Sequence, residues 1–337
     1  MGSLTTHIVI FFLGAALFLY CLLGGADFGA GVLQIFVGPR LREKYEGIVR
    51  NAMGPVWEAN HMWLIIVVVI LFNGFPKIYA ELSIYFHIPL TAMLIGIILR
   101  GCTFSFRHYD AIKDKTTKYY SIIFSISSII TPVMLGTIIG ALMLGRVDPG
   151  ANTYYAKFVG PWLNVFSMSV GIFVLCLFTF LSSVFLIGET DDGELKAYFS
   201  RKAKLTNLLT VISGGIVFGV AQLNGLSLLQ FYFRQPVTFV AIIGATVSLF
   251  LLWKYLDVRI VWRTRWVAGF QLLMIMAAWF AIIYPNVIFY ADGTALSLFS
   301  AAAPQATLRI LATALMIGSV VFAPALYYLF VVFKGSQ

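Results

Sequence analysis

Charge is what this 337-residue chain has least of: Asp, Glu, Lys and Arg make up 11%, against 60% hydrophobic residues and a mean hydropathy of +0.92. Soluble chains carry about 25% charged residues, so a soluble globular domain is excluded. Cysteine is scarce too. Cys21, Cys102 and Cys176 lie apart in apolar runs with no CxxC or metal-ligand spacing, and read as buried inert thiols. The short alternating segments of a membrane β-barrel are missing. No internal repeat is visible in the sequence. The start, MGSLTTHIVIFF, lacks a basic n-region, so it reads as the outer end of a first membrane helix and not as a cleaved signal peptide.

What the chain does have is long apolar runs. Nine stand out, roughly 7–36, 55–74, 79–105, 119–143, 161–187, 205–223, 237–253, 267–290 and 308–333. Each approaches the ~20 residues that a helix needs to cross a bilayer. The predicted fold is therefore an all-α integral membrane protein of about nine transmembrane helices, 1–337 forming a single transmembrane domain.

The net charge of +9 is no nucleic-acid footprint, because the bases are spread over short loops. They alternate in density. Arg40, Arg42, Lys44 and Arg50 fill the first loop; Arg107, Lys113, Lys115 and Lys118 the third; Lys196, Arg201, Lys202 and Lys204 the fifth; Lys254, Arg259, Arg263 and Arg265 the seventh; Lys334 follows the last run. The other side has Lys77, Arg146, Lys157, Arg234 and Arg309, giving 17 against 5 with Arg100 set aside. The positive-inside rule then places the N-terminus outside and the C-terminus in the cytoplasm. That orientation requires an odd number of spans, which nine satisfies. Helix packing is expected at Gly25 and Gly29, a GxxxG pair followed in step by Ala26 and Ala30.

Ionisable residues inside a membrane are rare and usually functional. Away from the ends of the other runs, Asp27 and Glu58 stand out as acids within spans, and Arg100 as a base. Glu58 is at most about 12 Å down a helix from Arg50, and Arg100 about 10 Å from Arg107. All three therefore fall toward the basic side. Asn51–Trp63, NAMGPVWEANHMW, concentrates the polar features: Pro55 suits a helix N-terminus, Glu58 and His61 are spaced i, i+3, and Trp57 and His61 i, i+4. A carboxyl and an imidazole in a low dielectric can exchange protons near neutral pH, as the entry to a proton path requires. Asp27 or Glu58 paired with Arg100 could equally be a purely structural tie between helices. The four histidines, His7, His61, His87 and His108, include no pair with another His or Met at a spacing that marks axial haem ligation.

With GGADFGAGVL, PVWEANHMWL, ILRGCTFSFRHY and YPNVI in this order, the chain resembles subunit II of the cytochrome bd ubiquinol/menaquinol oxidases from end to end. The resemblance implies two four-helix bundles plus one peripheral helix: a first bundle at about 1–145, a second at about 160–290 and a last helix at about 308–333. It implies a partner, subunit I, that carries haem b and haem d, with no cofactor bound by this chain alone. A small single-helix third subunit and a structural lipid or quinone are further partners it leaves open. The implied activity is quinol oxidation coupled to reduction of O2 to water in the bacterial cytoplasmic membrane. Asp27 and Glu58 match the family's acidic positions, where Asp often stands in place of Glu58. His61 departs from the family pattern, and Arg100 matches the arginine before the glycine of the third helix. Glu58, Asp27 and His61 are thus candidates for a cytoplasmic proton path, Arg100 for their electrostatic partner, and Trp57, Asn60 and Trp63 for the supporting motif. The alternative is a proton-coupled secondary transporter acting alone, which intramembrane charges also suit.

Overall fold

Apolar residues along almost every face leave the chain no soluble arrangement, and the structure, a computed structural model, places them on nine helices long and apolar enough to span a membrane among the described residues. Residues 3–54, 57–109, 116–226, 228, 235–258 and 260–334 are described. Pro55, Val56, Lys113, Lys115, Arg234 and Arg259 lie outside them, as do the side chains of Arg107, His108, Lys118 and Lys334.

The first span is composite. Helix α1 (Leu4–Leu19), capped by the Ser3 hydroxyl accepting from Thr6 N–H, runs into a π-helical turn (Tyr20–Gly24) and then α2 (Gly25–Ile35). An amphipathic helix, α3 (Pro39–Met53), follows at the basic end. The sequence suggests only a loop there, yet Tyr45, Val49 and Met53 recur at i, i+4, i+8 and are buried. Then come α4 (Trp57–Gly74), a short α5 (Pro76–Tyr85) and α6 (His87–Tyr109). The apolar run at 79–105 is thus two helices. Pro89 has no N–H for the Tyr85 carbonyl, and Phe86 between them leaves the helical region (φ −115°, ψ 20°). Beyond α6 stand α7 (Thr116–Leu144), α8 (Val165–Ile187), α9 (Gly193–Leu223), α10 (Pro236–Val258) and α11 (Val261–Ile283). The run at 267–290 also ends early. Pro285 cannot donate to Ala281 and holds Tyr284 extended (ψ 134°), so Val287, Ile288 and Phe289 leave the helix. They form β1 (Asn286–Phe289), antiparallel to β2 (Ala295–Ser297), at the end opposite the basic loops. The last helix, α12 (Gln305–Lys334), packs chiefly on α1 and α4.

Small residues set the tightest helix contacts. A Cβ on Gly29 would lie 2.1 Å from the Phe178 carbonyl oxygen, and one on Gly25 2.7 Å from the Phe178 ring, so α2 and α8 touch backbone to backbone at the predicted GxxxG pair. Gly136, Gly140 and Gly171 do the same between α7 and α8. Elsewhere polar side chains join helices: Asn207 on α9 donates to Gln271 Oε1 (3.3 Å) on α11 and accepts from Trp253 Nε1 (3.0 Å) on α10. At the basic end Asp192 caps α9, accepting from Glu194 N–H and Leu195 N–H, and receives Lys44 Nζ of α3 at 2.6 Å. Arg40 reaches Glu194 at 3.2 Å beside it. The loop segment ETDDGE, which the sequence suggests is a solvated turn, therefore supplies ion-pair partners to α3.

Candidate functional site

The π-helical turn in the first span ends at Gly24, three residues before Asp27. Such turns recur at functional sites. Asp27, 0% exposed, faces Arg100 of α6, 1% exposed. The pairing is a fork: Arg100 Nη2 donates to Asp27 Oδ1 (2.6 Å) and to the Asp27 carbonyl (2.9 Å), and Nη1 donates to Oδ2 (3.0 Å). Two aromatic faces enclose the guanidinium, Phe28 at 4.9 Å and Phe124 at 5.2 Å. Of the two acids that the sequence offered as partners for Arg100, the structure brings up Asp27.

Helix α4 delivers the rest. Its Trp57 ring lies over Gly101, where a Cβ would come within 3.0 Å of it, and contacts the His61 ring edge-on at 6.2 Å. His61 also meets Phe28 at 5.6 Å and Tyr20 at 6.2 Å. Asn60 is buried and Trp63 packs against the central apolar core. Glu58 differs: it is exposed on the surface of this chain and has no hydrogen bond or ion pair among the described residues. Asp27, Arg100, His61 and Trp57 thus share one site, while Glu58, one turn from His61, opens away from it.

Tyr20 belongs to the same site and was not legible from the sequence, since one tyrosine in an apolar run carries no pattern. Phe28 and Phe124 were equally silent, although Phe28 adjoins Asp27. His7 and His87 hold the carbonyls of Ser3 (3.0 Å) and Ile84 (2.9 Å), and three rings hem in His61. Separately, an apolar cavity of about 450 Å³ lies between α7, α8, α9, α10 and α11, lined among others by Met143, Phe173, Phe218, Met274 and Trp279, with Gln271 and Thr210 as polar points on its wall.

Comparison with known proteins bears on what this site serves. The chain is 29% identical over 241 residues to cytochrome bd ubiquinol oxidase subunit 2 of Bacillus subtilis (strain 168), covering 71% of this chain and 68% of that one. It is 27% identical over 206 residues to the cytochrome bd-I ubiquinol oxidase subunit 2 of Escherichia coli (strain K12), covering 59% of this chain and 52% of that one. The structure of bd oxidase from Geobacillus thermodenitrificans has a chain of the same fold, with TM-score 0.77 at 18% identity over 99% of this chain and 100% of that chain. These relatives lend the lone-transporter reading no support. Since residues 5–333 match the family described as cytochrome bd terminal oxidase subunit II, the chain belongs to that family.

Proposed function

We propose that this chain is the haem-free subunit of a terminal oxidase that oxidises quinol and reduces O2 to water, sited in the bacterial cytoplasmic membrane. It holds and shields a subunit I bearing haem b and haem d, and supplies part of a proton path from the cytoplasm. The observation that carries the proton path is the contrast at α4: a buried site of Asp27, Arg100 and His61, with Glu58 at the helix opening on the chain's surface. Glu58 takes up protons at the basic end, His61 and Asp27 carry them inward, and Arg100 is the fixed counter-charge to Asp27. The density of bases at that end makes it the cytoplasmic side. The helices divide into bundles at about 1–145 and 160–290, with the last helix peripheral. The apolar cavity suits a lipid or quinone chain, and a small third subunit has the exposed apolar helices to rest on.

The test is Glu58→Gln in the assembled oxidase. O2 reduction slows while the haem spectrum is unchanged. Unaltered turnover and an unaltered pH profile would remove Glu58 from the path.

A further inference from the structure

Four buried polar atoms around the Asp27–Arg100 fork have no hydrogen-bond partner among the described residues: Tyr20 Oη, both ring nitrogens of His61, and Arg100 Nε. Buried polar groups in folded proteins are almost always satisfied, by protein or by ordered water. They sit on three side chains that contact one another or the shared Phe28 ring. The rings of Tyr20 and His61 are 6.2 Å apart, His61 lies 5.6 Å from Phe28, and the Arg100 guanidinium covers that same Phe28 ring at 4.9 Å.

We propose that Tyr20, His61 and Arg100 Nε together bind a small cluster of internal water, and that Tyr20 is a positioning residue that orients it between His61 and Asp27. The donor and acceptor count fits water, and no described side chain meets it. Arg100 Nε only donates, the tyrosine hydroxyl donates and accepts, and a neutral imidazole does one at each nitrogen. A direct Tyr20–His61 bond would satisfy at most one of the two ring nitrogens and leave Arg100 Nε unserved. The two nitrogens of His61 diverge, so a single water cannot serve both, and at least two are needed. A buried water makes 2–4 hydrogen bonds to such groups. It can also relay a proton by exchanging a donated for an accepted hydrogen bond, with no net change in charge. This role rests on the proton path proposed above; the water site itself does not.

Tyr20→Phe in the intact oxidase tests the proposal, because it removes the hydroxyl and keeps the ring that lies against Gly24. The variant loses O–H bands of internal water from the infrared difference spectrum. Its turnover falls on the order of tenfold with an increased solvent isotope effect, less than the roughly hundredfold or more expected for a group that itself transfers the proton. A density map of the wild-type complex at water-resolving resolution shows water bonded to Tyr20 Oη and to His61. Direct side-chain partners for these atoms, from this chain or the partner subunit, would overturn the proposal whether or not the variant assembles. Water that is present, with Glu58→Gln at full rate, keeps the site and removes the proton path. A slow Glu58→Gln beside an unaltered Tyr20→Phe, with no water in the map, does the reverse.

Discussion

Removing Arg100 should harm this protein more than removing both members of its ion pair. Its guanidinium makes three hydrogen bonds to Asp27, with both side chains out of solvent. Two unit charges about 4 Å apart attract by about 4 kcal/mol at an effective dielectric constant near 20. That attraction roughly offsets the several kcal/mol per ion that burial costs. Arg100→Met leaves Asp27 a lone buried carboxylate, a change that costs about 3–5 kcal/mol where buried pairs have been broken. At roughly 2–4 °C per kcal/mol, the thermal midpoint of the purified complex drops by about 6–20 °C. Asp27→Asn combined with Arg100→Met removes the uncompensated charge and regains most of that loss. Thermal unfolding of the three complexes, wild type, single and double variant, measures both steps. A double variant as unstable as the single one would refute the argument, because the penalty would then lie in lost packing between Phe28 and Phe124 and not in charge.

Two further outcomes follow from the packing and from the basic end. Gly29→Ala places a methyl group 2.1 Å from the Phe178 carbonyl oxygen and should block the α2–α8 contact, seen as loss of assembled complex in membranes; Gly14→Ala, which meets nothing within 4 Å, should assemble normally. At Asp192, the Lys44 hydrogen bond first, and the Leu195 and Glu194 N–H groups after it, hold the carboxyl below the usual carboxylate range. A depressed carboxylate stabilises the folded state above its unfolded pKa, and the contribution is lost as pH falls through the lower folded value. Hydrogen exchange at the first amides of α9, relative to intrinsic rates, should therefore accelerate in that acid window. Asp192→Ala should show the acceleration at neutral pH, and unchanged protection in that variant would refute the cap.

The spans were legible because a bilayer imposes one requirement, a long apolar helix, that hydropathy reads directly. Their ends were less so. The run at 79–105 hides a break, because α5 and α6 are separated only by Phe86, itself apolar. The run at 267–290 hides a hairpin, because Val287, Ile288 and Phe289 are apolar in strand and helix alike. Helix α3 had a signal, its i, i+4, i+8 apolar stripe, which the surrounding charges obscured. At the site, the sequence supplied Asp27, Glu58, Arg100 and His61 but not their pairing. Which acid meets Arg100 depends on the rotation of α2 and α4 against α6, and that is set by contacts such as Trp57 on Gly101. Tyr20 was out of reach because its importance comes only from what surrounds it.

The anchoring of α3 also sets an order of events during synthesis. Tyr45 of α3 donates to the carbonyl of Ala30 at 2.6 Å, a partner 15 residues earlier, so that contact is available as soon as α3 is made. Lys44, its neighbour, waits for Asp192, 148 residues later in the chain. At about 5–20 residues per second, that wait lasts roughly 7–30 s. Through that interval a basic helix is held to the first span by its buried tyrosine while its cationic face remains open to the ribosome, the insertion machinery and anionic lipid. The emergence of the ETDDGE loop ends this stage, closing the front of the chain onto its middle before the last four spans have entered the membrane.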